Sequence, residues 1–348
     1  MHSREYLGRF PGYIRMIPVA SYVIEREIGC MHLYTGRVID FRRMYWTPPL
    51  SAREALELER QQIKQTCGLN PLVSLSDHDN IEAGLHLRML KESSLVPISV
   101  EWSVPYEQTV FHLGVHNLPA DRATEWMARL SQYTTEPTPA RLTEVLHDLN
   151  AEPGTLLVLN HPYWDAESVG PAQHLYSLAA FLRKYTPLLH ALELNGLRSH
   201  KENQKVLNLA EEMNLPPISG GDRHGCEPNA VLNLSEALTF TEFVEEIRCA
   251  RRSQIMLMPQ FFEPLRLRLF EGAWHALSDA PGEFGRHHWM SRIFLEGRDG
   301  SPRPLSDFMG TRLQHFVDRF RWVMAFLTSP QARPAMRVAF LGNEEGGL

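Results

Sequence analysis

The feature of this sequence that most constrains its fold is the alternation of short apolar runs with helical patterns between about residue 23 and residue 260. The segment 155–159, Thr-Leu-Leu-Val-Leu, is typical of a buried strand, and Ser51 with Glu54 forms a capping box ahead of a helix that ends near Gly68. About seven strand–helix units in succession favour a parallel sheet with crossover helices, and a barrel over an open sheet. We therefore predict an α/β barrel.

The predicted elements follow one another with short connections. After a first strand through Cys30 to His32, predicted strands lie at 71–75, 96–100, 110–115, 155–159, 189–194, 216–219 and 255–258. Predicted helices lie at 51–68, 80–91, 120–132, 138–150, 171–185, 200–213 and 239–248.

The alternation stops after about residue 260, where apolar residues recur at helical spacing between Leu313 and Leu327. We predict a metallohydrolase-type barrel over residues 1–260 and a helical C-terminal extension over 261–348. The apolar stripe is expected to dock on the barrel or on a second copy of the chain, so a homo-oligomer through these helices is one expectation. The run 265–269 alternates like a strand in a helix-rich region, and its type stays open.

Composition excludes several classes of protein. Hydrophobic residues make up 43% and charged residues 22% of 348, which is ordinary globular composition, and a net charge of −6 does not favour a nucleic-acid or membrane surface. No apolar run approaches the roughly 18 residues of a membrane span, and the N-terminal segment lacks the apolar core of a secretory signal. The four cysteines form no CxxC pair. A cytoplasmic protein is expected.

Residues that can bind metals stand at the ends of most predicted strands. They are His32, the pair Asp77-His78, Glu101, His112, His161, Glu193 and the triplet Asp222-Arg223-His224. Because the carboxyl ends of barrel strands share one face, we expect these side chains to converge there. Several close carboxylates repel one another unless cations neutralise them, and mixed nitrogen and oxygen ligands suit Zn, Mn or Fe. The sequence therefore predicts a centre for divalent cations.

Six segments in this order resemble the PHP (polymerase and histidinol phosphatase) family, and its small metal-dependent phosphoesterases most of all. They are SLSDHDN (74–80), Val100-Glu101, FHLG (111–114), NHP (160–162), LELN (192–195) and GGDRH (220–224), and the resemblance spans about residues 28–258. It implies a distorted TIM-like (β/α)7 barrel that binds two divalent ions (Mn, Zn or Fe), with a third site in doubt. It also implies hydrolysis of phosphate esters by hydroxide bound to the metal.

Carried over by position, the resemblance implies a set of metal ligands. They are His32, His78, Glu101, His112, His161, Asp222 and His224. Glu101 would bridge two ions, Asp77 would ligate or orient its neighbours, and Asp77, His161 and His224 are the catalytic candidates. Glu193 matches a position that varies in the family.

The first motif departs from the family pattern. Where the family has HxH followed by Thr, this chain has His32-Leu-Tyr34-Thr35, and Asp40 stands at a shifted spacing from the usual aspartate. A phenol with a pKa near 10 is a poor neutral ligand, so we expect one ion position to be weak, absent or completed by another residue such as His116 or His200. The alternative is that Tyr34 itself binds a strong cation as a phenolate. This departure supports a second hypothesis, in which the domain binds metal or a partner without turnover.

Recognition of the substrate needs cationic or donor groups besides the metals. Arg198, His200 and Arg223 follow predicted strand ends and are candidates for binding a small phosphorylated substrate. A third hypothesis keeps the catalysis but takes nucleic-acid ends as substrate, and the acidic net charge disfavours it.

Overall fold

The computed structural model describes residues 5–6, 26, 29, 43–47, 49–223, 226–278, 280–282, 285–287, 289–296, 301–307 and 311–341. The predicted first strand therefore lies outside the described residues, together with His32, Tyr34, Asp40 and His224. The described chain is mixed α/β, as predicted.

The strands and helices are numbered along the chain. The strands are β1 (Glu5–Tyr6), β2 (Met44–Trp46), β3 (Ser76–His78), β4 (Ile98–Tyr106), β5 (Thr109–Leu118), β6 (Leu156–Asn160), β7 (Ala191–Asn195), β8 (Pro217–Gly220), β9 (Val231–Leu234), β10 (Gln254–Leu257), β11 (Ala280–Gly282), β12 (Gly285–His287), β13 (Ile293–Glu296) and β14 (Pro302–Pro304). The helices are α1 (Ala52–Gln62), α2 (Glu82–Arg88), α3 (Ala123–Thr135), α4 (Pro139–Ala151), α5 (Pro171–Tyr185), α6 (His200–Met213), α7 (Phe240–Arg248), α8 (Leu265–Leu277), α9 (Thr311–Leu327) and α10 (Arg333–Leu341).

The chain forms two compact units, Ser51–Leu265 with Met1, and His2–Leu50 with Arg266–Leu348. The first unit contains a six-stranded sheet in the order β3-β4-β5-β6-β7-β8 and an antiparallel pair, β9 with β10. The boundary at residue 260 between a barrel and an extension stays a prediction.

The six-stranded sheet is mixed, so the prediction of a parallel sheet is wrong at β5. Strand β3 pairs with β4, β6 with β7, and β7 with β8 in parallel, but β5 is antiparallel to both β4 and β6. Only Glu107 and Gln108 connect β4 to β5, whereas a parallel crossover needs a dozen or more residues. A hairpin is the connection that this length permits, and the (β/α)7 topology stays a prediction.

Burial explains where the elements form. Every residue of β6 and β7 is buried, which is why these strands read as continuous apolar runs. Helices α5 and α6 have the predicted bounds; Pro171 opens α5, and the Ser199 hydroxyl caps α6 by accepting from the N–H of Glu202. Strand β3 begins after the predicted 71–75, and β9 was not predicted.

The second unit is not purely helical, which corrects the prediction for residues 261–348. It contains α8, α9 and α10, and α8 settles the run 265–269 as helix. It also contains a four-stranded sheet in the order β1-β2-β13-β14 and the hairpin β11–β12. These strands are two to four residues long and therefore carry little periodicity, so the sequence pattern did not show them.

The predicted apolar stripe consists of Leu313, Phe316, Val317, Phe320, Val323 and Leu327, and the structure describes the side chains of the last two. Val323 is exposed and Leu327 is half-buried. Assembly through α9 stays a prediction. Within the described parts of the chain, no helix has the length and apolar character needed to cross a membrane.

A half-buried histidine ties α4 to the sheet. Nδ1 of His190 accepts from the N–H of Leu157 at 2.8 Å, and Nε2 lies 2.7 Å from Oδ1 of Asn150. Burial first, and then the cations Arg248 and Arg251, lower the pKa of His190 to about 3. The folded protein therefore holds this ring neutral.

We predict that His190 makes the fold sensitive to acid. An unfolded chain takes up this proton near pH 6.5 and the folded chain only near pH 3, so the free energy of unfolding falls as the pH drops between those values. The variant His190→Asn keeps an acceptor for the Leu157 N–H but does not titrate, so its unfolding free energy should fall less steeply over this window. Urea unfolding at pH 7.5, 6.0 and 5.0 measures the slopes. The exposed-site variant His147→Asn should match the wild type, and equal slopes for all three proteins would contradict the prediction.

Candidate metal centre

Four neighbouring strands place their metal-capable residues side by side. His78 ends β3 opposite Glu101 of β4, and His112 of β5 lies opposite Asn160, the residue before His161. Because β5 runs antiparallel, its amino-terminal half reaches the edge at which β3 and β6 end. The reversed strand therefore presents His112 at the same rim.

The carboxylate of Glu101 is the centre of this cluster. Its Oε1 lies 3.1 Å from Nε2 of His161 and 3.5 Å from Nδ1 of His112, and its Oε2 lies 3.6 Å from Nε2 of His78. Nδ2 of Asn160 donates to Oε1 at 3.1 Å. The two inner rings also meet, with 3.3 Å between Nδ1 of His112 and Nε2 of His161.

Three of these residues fit a divalent cation. One ligand atom from each of His78, Glu101 and His112 lies within 4.8 Å of the other two. Two imidazoles and one carboxylate form a donor set that zinc and similar ions use in catalytic sites, with a coordination position left for water or substrate. We refer to His78, Glu101 and His112 as the His–Glu–His group.

The pKa values of Glu101 and His112 are shifted toward the protonation states that bind a cation. Burial alone would raise the pKa of the Glu101 carboxyl, but His78, His112 and His161 together hold it well below its usual range. Burial lowers the pKa of His112, which favours a neutral ring. Burial opposes a charge on His161 as well, yet Glu101, Glu193 and Asp222 raise its pKa. An ionised carboxylate and a neutral imidazole are the forms that bind metals, so Glu101 and His112 are in those forms, whereas the raised pKa of His161 favours its protonated ring.

The backbone is strained at the rim. His161, Asp222 and Asp79 have φ angles of 26°, 44° and 49°, in the left-handed region that non-glycine residues occupy at a cost of about 1–3 kcal/mol each. The N–H of Asp79 donates to the carbonyl of Glu101 at 2.9 Å, and its Oδ1 accepts from the N–H of Ser103 at 2.8 Å. Such contacts offset the strain at Asp79 and fix the main chain of Glu101.

Asp222 and Glu193 lie beside the group without belonging to it. Oδ2 of Asp222 pairs with a terminal nitrogen of Arg198 at 2.9 Å, and that guanidinium stacks 4.0 Å above the ring of Trp164. Oε2 of Glu193 accepts from the N–H of His161. Burial, followed by the charges of Glu101 and Asp222, raises the pKa of Glu193 to about 7, against the opposing effects of His161 and Asn195.

The other predicted residues are spread around this rim. Asp77 pairs in register with the core residue Val100, so strand alternation directs it away from the face of His78. Nε of Arg223 lies 3.6 Å from Oε1 of Glu59, and this ion pair holds the guanidinium toward α1.

His200 is exposed at the start of α6 beside Phe261. His116 bonds Ser74 through Nδ1 at 2.9 Å, and burial lowers its pKa to about 4.

The structure therefore brings His78, Glu101, His112 and His161 together and sets Asp222 with Arg198. The assignments of ligands and catalytic residues stay predictions. Sequence reasoning did not single out Asn160, Asn195 or Glu59, which hydrogen-bond around the site. A signal was present for the two asparagines, because each is a polar residue that ends a buried strand.

No protein-family model matches the sequence, and no curated protein matches it. Among solved structures, a proposed metal-dependent phosphoesterase from Bifidobacterium adolescentis is 16% identical with a TM-score of 0.33, covering 57% of this chain and 90% of that one. PsfC from Pseudomonas syringae is 15% identical with a TM-score of 0.39, covering 64% and 89%. An amidohydrolase from Chromobacterium violaceum with bound sulfate is 14% identical with a TM-score of 0.38, covering 60% and 93%.

These similarities are too low to establish a family, and membership of the PHP family stays a prediction.

We predict that Glu101 is essential for binding a divalent cation. The variant Glu101→Gln keeps the size of the side chain but removes the charge between three imidazoles, so its affinity for Mn²⁺ should fall by about 100-fold or more. Isothermal titration of the chelator-treated protein measures this affinity. The exposed Glu125 of α3 supplies a matched control, Glu125→Gln, which should bind like the wild type. Equal affinity in both variants would exclude Glu101 as a ligand.

Proposed function

We propose that this protein is a metal-dependent hydrolase whose substrates are phosphate esters. The observation that carries the proposal is the His–Glu–His group, with His161 packed against its carboxylate at the rim of the sheet. Burial of a charged carboxylate in a protein interior costs free energy, and a bound cation would offset that cost.

His78, Glu101 and His112 would hold the cation. When bound, a divalent cation supplies Lewis acidity that activates water and polarises a phosphoryl oxygen. Glu101 contributes the negative charge of the donor set, and Asn160 orients that carboxylate through its amide. The buried surroundings strengthen these interactions relative to water.

The position of His161 supports a role in proton transfer. Its Nε2 lies 3.1 Å from Glu101 and 3.3 Å from His112, so the ring borders the group in which the ester would react. We assign to His161 the delivery of a proton from Nε2 to the leaving oxygen, a task that suits imidazole near neutral pH.

Arg198 is the residue that we assign to the phosphate. Its guanidinium is held between the ring of Trp164 and the carboxylate of Asp222, so little rotational freedom remains to be lost on binding. Asp222 also contributes, with Glu101 and Glu193 and against the effect of burial, to raising the pKa of His161. A planar guanidinium matches the oxygens of a phosphate better than an ammonium does.

We predict that the protein hydrolyses phosphate monoesters when Mn²⁺ is present and loses this activity on chelation. The variant His161→Asn should lower kcat by about 100-fold or more, because the proton donor is gone. Turnover of p-nitrophenyl phosphate and a panel of sugar and nucleoside monophosphates measures the effect, with His147→Asn as the exposed control. Mn²⁺ binding without turnover by the wild type would favour the alternative of a metal-binding domain without catalysis.

A separate prediction concerns Arg198. The variant Arg198→Lys keeps the charge but loses the planar fork and the stacking on Trp164, so KM for a phosphate monoester should rise by about 10-fold while kcat changes less. Steady-state kinetics separates the two constants. Arg183→Lys, at an exposed position of α5, should leave both unchanged, and an unaltered KM in Arg198→Lys would exclude this residue from phosphate binding.

A further inference from the structure

The buried carboxylate of Glu193 has a specific pair of hydrogen-bond donors. Its Oε2 accepts from the backbone N–H of His161 at 2.9 Å and from Nδ2 of Asn195 at 3.2 Å. Oδ1 of Asn195 accepts in turn from the N–H of Leu197 at 2.8 Å, which orients its amide with Nδ2 toward Glu193. The carboxylate is therefore directed at the main chain of His161.

His161 is the point at which β6 leaves the sheet, with the left-handed φ of 26°. Its N–H is held by Glu193, and the carbonyl of the next residue, Pro162, lies 2.8 Å from Nε2 of the buried His174. The backbone is thus restrained on both sides of a strained residue. Its side chain reaches Glu101 from this fixed point.

Gly220 admits the side chain of Glu193. A Cβ built on Gly220 would lie 1.6 Å from Oε1, 2.2 Å from Cδ and 2.5 Å from Cγ of Glu193, closer than any real contact. The requirement concerns space, because the φ of Gly220 lies outside the left-handed region. The neighbouring Gly221 has no such requirement, since its added Cβ would come no closer than 3.4 Å to Asn229.

We propose that Glu193 is a positioning residue that fixes His161 against Glu101 through the main chain. We also propose that position 220 requires glycine, because any larger side chain would occupy the space of the Glu193 carboxylate. The proposal deepens the proposed function, on which it rests for the role of His161. It differs from the reading in which Glu193 itself binds a cation, because Oε2 is already engaged by two donors.

Four variants separate these readings. Glu193→Ala removes the acceptor, and Glu193→Gln keeps an acceptor oxygen without the charge. Gly220→Ala displaces the carboxylate, and Gly221→Ala is its matched control one residue away. For each purified protein three quantities are measured: hydrogen exchange of peptides that cover 157–165, affinity for Mn²⁺ by titration, and kcat with KM for a phosphate monoester.

We expect Glu193→Ala and Gly220→Ala to speed exchange in 157–165 and to lower kcat by about 10–100-fold with little change in KM. Glu193→Gln should restore slow exchange and most of kcat, and Gly221→Ala should match the wild type. All four should bind Mn²⁺ like the wild type, because the His–Glu–His group is untouched.

Two results would overturn the proposal. If Glu193→Gln loses Mn²⁺ affinity as severely as Glu193→Ala, Glu193 is a ligand. If Glu193→Ala leaves both exchange in 157–165 and kcat unchanged, the carboxylate does not position His161. Should Gly220→Ala fail to fold, the two Glu193 variants still decide. Should the wild type show no turnover, the proposed function fails separately, while the exchange and Mn²⁺ measurements still test the positioning.

Discussion

The rest of the site depends on the burial of one carboxylate. Glu101 lies at 7% exposure among His78, His112 and His161, where desolvation would favour its neutral form and the imidazoles reverse that preference. An interior tolerates such a charge only with partners of opposite sign or with a cation. Asn160 donates to the carboxylate of Glu101, and the N–H of Asp79 donates to its backbone carbonyl, so hydrogen bonds hold both the side chain and the main chain of this residue.

The sheet geometry makes this arrangement possible. Parallel strands carry His78 and His161 at their carboxyl ends, and the reversed strand β5 supplies His112 from its amino-terminal half. The left-handed backbones of His161 and Asp222 turn the chain sharply at the rim. Rigid, strained supports of this kind are typical of functional sites, where a small displacement of a reacting group has a large effect.

Local patterns predicted the elements better than their arrangement. Helices α5 and α6 match the predicted bounds because their caps, Pro171 and Ser199, are short-range signals. The antiparallel direction of β5 was not predicted, although the hairpin between β4 and β5 is short. The motifs occur in the order that the PHP family has, and this order suggested a parallel sheet whose strands all end at one rim. Strand β9 and the strands of the second unit were missed because four residues or fewer carry almost no periodicity.

By itself the sequence determined which residue types could bind a cation and that strands and helices alternate, since both follow from side-chain chemistry and short-range periodicity. Only the tertiary structure decided which of these residues meet. His78, Glu101, His112 and His161 converge, whereas Asp222 pairs with Arg198 and Glu193 supports the main chain of His161. The reason is that strand direction, register and the space above Gly220 arise from contacts between distant segments, which no local pattern encodes.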